Sequence, residues 1–396
     1  MTIQTPPRRR VASTRPVPFA RTVIGPEARS AVDRVLESGW VTTGQEAIEF
    51  ERELADYVGA SRGVAVSSCT AGLELALRAL GLPRDARVLM STDTFCGAAG
   101  AIAHAGLTPV LVDVDPRTAV PTEETIRAAV REVGGVSAMV VVHLGGHPVD
   151  VEAAAAAAGL GLDHVIEDGA HALGTEVGAR RVGSISRATC FSFYATKNLA
   201  IGEGGMVTTS DEDFADTLVR TRLHGMSRDA WRRYRPGAGW RYDVADDGLK
   251  ANLTDVQAAI GRAQLRRFGA DQVRREAIAA RYDAQLAGLP SITLPPRPVE
   301  GRHAWHLYAV RVQPGFPVPR DELIELLSAR GIGTSVHFIP LHRLTWHVEH
   351  CVVPATGLPG ADEVFEGTVS LPFDQNLTDD DVDEVCAALW QIGGIR

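Results

Sequence analysis

Phe191-Ser-Phe-Tyr-Ala-Thr-Lys197-Asn-Leu-Ala-Ile-Gly202-Glu-Gly204-Gly205 places one lysine in a nearly uncharged stretch, between two short strands and just before three glycines. Apolar surroundings deprive the ammonium form of solvation, so the pKa of such a lysine falls and its neutral amine becomes nucleophilic. The stretch therefore predicts a Schiff-base lysine at Lys197. The alternative is a surface lysine that packs only its aliphatic stem against the protein.

The strands around Lys197 continue a pattern that runs from residue 63 to about 210. Short apolar, β-branched runs such as Gly63-Val-Ala-Val and Pro109-Val-Leu-Val alternate with stretches of helical apolar spacing, such as residues 70–80. Continuous apolar strands separated by helices predict a mostly parallel sheet covered on both faces. We therefore expect an α/β fold.

The pattern changes after a helix predicted over residues 252–287. Residues 305–312 alternate like a half-buried antiparallel strand, residues 320–330 have the spacing of an amphipathic helix, and residues 334–338 are typical of another strand. This predicts a smaller C-terminal α+β domain. The predicted parts are a flexible basic tail (1–16), a large α/β domain (17–265), and a long helix with the small domain (266–396).

The composition excludes several classes of protein. The 396 residues carry 40 Lys and Arg against 49 Asp and Glu, a net charge of −9, which argues against a nucleic-acid-binding protein. No apolar run reaches the roughly 18–20 residues that a membrane span needs, and no apolar signal-peptide segment follows the N-terminal arginines. Five scattered cysteines without a Cys-x-x-Cys motif are typical of a reducing compartment, so we expect a cytoplasmic protein.

Four histidines near the C-terminus are candidates for metal ligands. His337, His342, His347 and His350 lack the spacing of a metal-binding motif, and Pro340 interrupts any helix between the first two. We predict no metal site.

Two further segments stand where parallel strands are predicted to end. Glu167-Asp168-Gly-Ala-His171 follows the strand His164-Val-Ile, and ligands of open parallel sheets bind at the C-terminal ends of strands. Ser67-Ser-Cys69-Thr70-Ala-Gly72 ends a strand and opens a helix, whose free N–H groups and dipole favour an anion. The segment lacks both the Gly-Lys-Ser/Thr ending of a Walker A loop and a Gly-x-Gly-x-x-Gly fingerprint.

Together, these three segments resemble the pyridoxal-phosphate sugar aminotransferases of the DegT/DnrJ/EryC1/StrS family. Their order and spacing match from about Phe19 to Leu389. The resemblance implies a fold-type I architecture like that of aspartate aminotransferase and pyridoxal 5′-phosphate as the cofactor. It also implies a homodimer whose subunits share their active sites.

The resemblance assigns a role to individual residues. Lys197 would bind the cofactor as a Schiff base and move the substrate proton, and Asp168 would keep the pyridine nitrogen protonated. His171 would lie beside the ring, near the phenolic oxygen. The other implied cofactor contacts are Phe95 stacked on the ring, Cys69, Thr70 and Ser192 at the phosphate, and Asn252 reaching the phosphate from the other subunit.

Residues 36–44, 248–252, 303–307 and 331–338 resemble one subgroup, the 4-amino-4-deoxy-L-arabinose synthases. This implies that L-glutamate donates nitrogen to C4 of a nucleotide-linked 4-keto sugar, either a UDP-4-ketopentose or a dTDP-4-keto-6-deoxyhexose. Lys250, with the loop 232–241, would bind the diphosphate. The implied substrate contacts are Trp40, Thr42, Thr43, Tyr194, Lys250, His337 and Phe338.

Two alternatives stay open. The enzyme could instead aminate a C3-keto sugar or a keto-cyclitol, or the chain could be a non-catalytic pyridoxal-phosphate-binding regulatory protein. Related dehydratases carry histidine at the lysine position, so Lys197 argues against sugar deoxygenation. The alanine- and arginine-rich composition suits a high-GC bacterium that makes a glycosylated natural product, such as an antibiotic.

Overall fold

The computed structural model of the chain describes residues 15–226 and 242–394. The helices are α1 (Pro26–Ser38), α2 (Gln45–Val58), α3 (Cys69–Ala79), α4 (Gly97–His104), α5 (Glu123–Val133), α6 (Val151–Ala158), α7 (Glu212–Thr221), α8 (Asp255–Leu286), α9 (Arg320–Ser328), α10 (Thr345–His350), α11 (Pro359–Gly367) and α12 (Asp379–Ile392). The strands are β1 (Arg62–Val66), β2 (Arg87–Ser91), β3 (Thr108–Val112), β4 (Ala138–Val142), β5 (Val165–Asp168), β6 (Glu176–Val177), β7 (Arg180–Arg181), β8 (Ala188–Ser192), β9 (Gly205–Thr209), β10 (Ile292–Thr293), β11 (Ala309–Val312) and β12 (Thr368–Ser370).

Seven strands form the central sheet in the spatial order β1-β9-β8-β5-β4-β2-β3. Neighbours from β8 to β3 pair in parallel, whereas β9 is antiparallel to both β1 and β8. Every residue of β4 and of β9 is buried, which requires that both faces of the sheet be covered. The α/β fold with a mostly parallel sheet is confirmed.

The topology brings the candidate site residues to one edge of the sheet. Strand β5 ends at Asp168 and β8 ends at Ser192, and these strands are parallel. Strand β1 points the same way as β8, because β9 is antiparallel to both. The C-terminal ends of β1, β5 and β8 therefore meet at the edge where ligands of such sheets bind.

A second hydrophobic core lies around the three-stranded antiparallel sheet β10-β11-β12. Helix α8 connects the two cores, because Phe268 packs in the core of the large sheet and Tyr282 in the second one. Val17 also packs in the second core. The boundary proposed at residue 265 stays a prediction, and α8 passes through it without a break.

Two predicted strands are wrong in whole or in part. Of residues 305–312, only β11 is a strand, since Trp305 has a φ of 49° and the His306 amide donates to Gly145 O of the large domain. Residues 334–338 form only an isolated bridge between Ser335 and Ser370. The chain leaves the small sheet there, and the Leu341 amide donates to a carbonyl in the loop after β2.

The described residues contain no helix that is both long and apolar enough to cross a membrane.

Candidate active site

Lys197 lies in the tight loop between β8 and β9. The Phe193 amide donates to Gly204 O and the Lys197 amide donates to Tyr194 O, each at 2.9 Å. Burial of the side-chain amine lowers the pKa of Lys197 from 10.5 to about 8, against the opposing effect of the Asp168 carboxylate. A substantial fraction of this amine is therefore neutral and nucleophilic near physiological pH.

Asp168 is the last residue of β5 and is buried. Its Oδ1 accepts a hydrogen bond from the Ala170 amide at 3.0 Å, and the Cys69 thiol lies 3.7 Å from the same oxygen. Burial raises the pKa of Asp168, while the Ala170 amide and the positive charge of Lys197 oppose this rise. The carboxylate and the lysine amine thus belong to one electrostatically coupled pocket.

The N-terminus of α3 forms an anion-binding corner of this pocket. Ser68 caps the helix by accepting the Ala71 amide at 3.1 Å, while helix geometry leaves the first amides of α3 without intrahelical acceptors. Gly205 pairs with Ser192, and a Cβ at residue 205 would lie only 2.7 Å from Cys69 N. Glycine at this position allows β9 to approach the helix, and the packing brings Cys69, Thr70 and Ser192 together.

His171 lies across from this corner with a defined protonation state. The Gly145 amide donates to its Nδ1 at 3.1 Å. Burial, reinforced by the Lys197 charge, holds the pKa of His171 well below its ordinary value, so the ring is neutral. Since Nδ1 accepts a hydrogen bond, the single ring proton is on Nε2. His171 therefore offers an N–H donor to a ligand.

Exposed aromatic side chains surround the opening of the pocket. Phe95 is 59% exposed and Tyr194 is 47% exposed. The ring of Phe338 lies 5.8 Å from that of Phe95 and 6.0 Å from that of His171. His337 stacks on Phe19, and burial, reinforced by the charge of Lys197, lowers the pKa of His337 to about 4. Large apolar faces left open beside polar groups are typical of ligand sites.

A second group of predicted site residues lies beside β1. The Trp40 indole donates to Thr43 O at 3.0 Å, the Asn252 side chain donates to Thr43 Oγ1 at 2.7 Å, and Lys250 donates to Asn252 Oδ1. Asn252 also pairs with Val66, two residues before the cap of α3. The two groups of residues are therefore adjacent along β1, and the predicted contact of Asn252 with the other subunit stays a prediction.

Asp255 holds this second group in place, a role that the sequence did not reveal. Its carboxylate accepts the amides of Gly44, Ala47 and Glu46 at 2.7, 3.0 and 3.3 Å, so it caps α2 from another helix. The Asp255 amide in turn donates to Thr42 O at 3.1 Å. The loop 232–241, predicted to contact a diphosphate, lies outside the described residues.

Asn198 and His306 also lie beside Lys197, and the sequence did not reveal a role for either of them. His306 belongs to segment 303–307, which resembles the 4-amino-4-deoxy-L-arabinose synthases, but the strand predicted for that segment gave no reason to place His306 in the site. Among the described residues, no group of three His, Cys, Asp or Glu side chains is placed to hold a metal ion.

The family model named DegT/DnrJ/EryC1/StrS aminotransferase family matches residues 22–390. The chain belongs to this family. The DegT/DnrJ/EryC1/StrS resemblance predicted from the three segments is therefore confirmed.

Similar proteins match nearly the whole chain. The spore coat polysaccharide biosynthesis protein SpsC of Bacillus subtilis is 43% identical over 378 residues, which cover 95% of this chain and 97% of SpsC. The protein titled "Putative sugar aminotransferase Spr1654" of Streptococcus pneumoniae, solved in a PLP form, is 29% identical with a TM-score of 0.87 over 96% of this chain and 99% of its own. S. venezuelae DesV is 33% identical with a TM-score of 0.82 over 93% and 94%.

Family membership makes the chain a pyridoxal-phosphate-dependent aminotransferase, and the site fits this cofactor. Lys197 supplies a reactive amine for the aldehyde, and Asp168 supplies a buried carboxylate for the pyridine nitrogen. The corner at α3 would hold the phosphate, and Phe95 offers an open face to the ring. The described residues thus provide one partner for each part of the cofactor.

Proposed function

We propose that this aminotransferase moves the amino group of L-glutamate to C4 of a nucleotide-linked 4-keto sugar, a dTDP-4-keto-6-deoxyhexose or a UDP-4-ketopentose. The product would be an amino sugar for a natural product or a glycan. The main observation that supports this proposal is the buried Lys197 amine beside Asp168, in a pocket next to the group of residues around Trp40 and Lys250. The relatives SpsC and Spr1654, named for polysaccharide biosynthesis and as a sugar aminotransferase, support a sugar substrate.

Pyridoxal phosphate, when bound, supplies a conjugated ring that withdraws electrons from the carbon bearing the amine. The charge of Asp168 favours a protonated pyridine nitrogen and so strengthens this withdrawal. Lys197, with a pKa of about 8, can remove a proton from the substrate carbon and return it, since its pKa lies near the working pH. His171 would donate its Nε2–H to the phenolic oxygen.

The aromatic opening of the pocket is suited to a sugar. Phe95, Tyr194 and Phe338 present apolar faces, against which the C–H face of a pyranose or furanose ring packs. His337 borders the same opening, next to Phe338. Lys250, which donates to Asn252, belongs to the group around Trp40 and would supply the cation that a diphosphate linked to the sugar needs.

A homodimer with shared active sites is part of the proposal. Leu36 in α1, Val41 in the loop that carries Trp40 and Ile48 in α2 are 55%, 48% and 40% exposed. Exposed apolar side chains on these consecutive elements support self-association. Thr42, Thr43 and Asn252 would then lie at the partner's pocket. We place the enzyme in the cytoplasm, without a nucleic-acid or membrane partner.

The test follows the visible absorption of the bound cofactor. L-glutamate is titrated into the holoenzyme, and UDP- and dTDP-linked 3-keto and 4-keto sugars and a keto-cyclitol are then added one at a time. We expect glutamate to bleach the visible band and one 4-keto sugar to restore it. Restoration by a 3-keto sugar or a keto-cyclitol would move the reaction to that substrate. A band that glutamate never changes would contradict the donor and favour the non-catalytic alternative.

A further inference from the structure

Two imidazole rings contact each other beside Lys197. The centroids of His171 and His306 lie 4.2 Å apart, with 37° between the ring planes. Both residues are buried, and the positive charge of Lys197 helps to lower the pKa of each. His306 is outside the set of residues to which the family resemblance assigned a role, so its placement here calls for an explanation.

The hydrogen bonds of Asn198 fix the orientation of its side-chain amide. The Asn198 Nδ2 group donates to Ala304 O at 2.8 Å, and a carbonyl oxygen can only accept. The opposite atom, Oδ1, therefore faces His306 Nδ1 at 3.0 Å. Since Oδ1 is an acceptor, the proton of this bond belongs to His306 Nδ1. Asn198 directly follows Lys197, so this bond holds the peptide next to the reactive lysine.

His306 consequently has the opposite tautomer to His171. Burial, together with the charges of Lys197 and Arg275, holds the pKa of His306 well below its ordinary value, so the ring carries one proton, on Nδ1. His171 carries its single proton on Nε2 because Nδ1 accepts from Gly145. The Gly145 carbonyl also accepts the His306 amide at 2.9 Å. The backbone of one residue, Gly145, thus connects the two histidines: its amide N–H binds His171 and its carbonyl binds His306.

We propose that His306 is a positioning residue of the transamination site, which fixes Asn198 beside Lys197 and supports His171 so that it presents only its Nε2–H to the cofactor. The inference rests on the aminotransferase activity and on Lys197 as the reactive lysine, and it is independent of which sugar is the acceptor. His306 acts through its neighbours. Its ring stays neutral, and a positive charge there, added to those of Lys197 and Arg275, would oppose the protonated state of Lys197.

Two substitutions separate the hydrogen bond from mere packing. In His306→Asn, the side-chain NH₂ can occupy the place of Nδ1 and still donate to Asn198 Oδ1, whereas in His306→Gln it reaches the place of Nε2. We expect His306→Gln to lower kcat roughly ten- to hundredfold with little change in KM, the size typical of lost support of a reactive group. His306→Asn should recover most of this loss.

His303→Gln is the matched control. His303 is a buried histidine of the same segment, and its Nδ1 accepts the Trp305 amide at 2.8 Å, away from Asn198. We expect this variant to keep its kcat within about twofold, because the ring contacts of His303 are with His147 and Trp305. Thermal denaturation of all variants identifies any that lose rate by unfolding.

A readout independent of activity comes from ¹⁵N-histidine NMR of the full-length protein without cofactor. At pH 7 we expect a neutral His306 protonated on Nδ1 and a neutral His171 protonated on Nε2, with the His306 signal assigned by its loss in His306→Asn. The opposite tautomer or an imidazolium at His306 would overturn the proposal, as would equal rates of folded His306→Gln and wild type. If wild type itself fails to respond to glutamate, the donor assignment fails, while the NMR result still decides this inference.

Discussion

The thiol sulfur of Cys69 lies 3.7 Å from Oδ1 of Asp168 at the base of the pocket. The same sulfur is 3.3 Å from Cys190 O, and the same carboxylate oxygen accepts the Ala170 amide at 3.0 Å. The contacts described for the carboxylate thus converge on Oδ1, which leaves Oδ2 for a pyridine N–H. A thiol is a weak donor, so Asp168 keeps a basic carboxylate in spite of this contact.

Replacing Asp168 with asparagine tests this electrostatic role. The neutral amide keeps the size of the side chain but removes the charge that favours a protonated pyridine nitrogen. We expect the rate constant of the glutamate half-reaction to fall by about a hundredfold or more, which corresponds to a charged hydrogen bond of about 3 kcal/mol. Stopped-flow measurement of the glutamate half-reaction gives this rate. Asp150→Asn, at the exposed N-cap of α6, is the control and should react like wild type.

The buried amine of Lys197 should destabilise the protein without cofactor. A pKa that falls from 10.5 in the unfolded chain to about 8 in the folded one corresponds to about 3 kcal/mol. This cost is fully present below pH 8, decreases between pH 8 and 10.5, and disappears above that range. We expect Lys197→Met apoenzyme to be more stable than wild type at pH 7, by up to about 3 kcal/mol.

Urea denaturation at pH 7 and pH 10 measures that difference. We expect the difference in the free energy of unfolding between the two proteins to be smaller at pH 10 than at pH 7. A difference that stays constant or increases with pH would show that burial of the Lys197 amine does not destabilise the fold.

Gly205 should control the affinity for the cofactor. A Cβ at this position would lie 2.6 Å from the Ser68 carbonyl carbon and 2.7 Å from Cys69 N, so β9 or the N-terminus of α3 must shift. We expect Gly205→Ala to weaken pyridoxal phosphate binding roughly tenfold or more, in line with an overpacking cost of about 1–3 kcal/mol. Fluorescence titration of apoenzyme gives the Kd. Gly100→Ala, in a helix with open space around it, should leave the Kd unchanged.

Asp255 couples stability to sugar binding. Asp255→Ala removes the acceptor for three amides at the start of α2 and releases the loop that carries Trp40 and Thr43. We expect a loss of about 2 kcal/mol in the free energy of unfolding and a rise in the sugar KM of roughly three- to tenfold. Asp211→Ala removes the N-cap of α7 and should cost stability only. Equal KM values in the two variants would refute the positioning role.

The sequence predicted the central sheet well because each of its seven strands contains a short, mostly apolar run with a helix or a turn on either side. Strand ends could then be located, and with them Asp168, Cys69 and Lys197. The same reasoning failed at residues 305–312. There, alternation of apolar residues predicted a strand, but Trp305 adopts a positive φ and the adjoining amides bind the peptide of Gly145.

Contacts between distant segments account for what the sequence did not reveal. His306 and Asn198 are separated by more than a hundred residues, and only the packing of the loop before β11 against the loop after β8 brings them together. Asp255 is typical of a residue in the first turn of a helix, yet its carboxylate caps a different helix. Local patterns carry no information about such tertiary hydrogen bonds.

Borohydride reduction followed by peptide mapping tests the central claim most directly. The sequence contains only two lysines, Lys197 and Lys250, so the chain supplies its own control. Reduction of the holoenzyme fixes pyridoxal phosphate to the lysine that binds it, and mass spectrometry of the digest identifies that residue. The account predicts the phosphopyridoxyl group on Lys197 and none on Lys250. Its presence on Lys250, or an unlabelled Lys197 in protein that shows the visible cofactor band, would contradict the account.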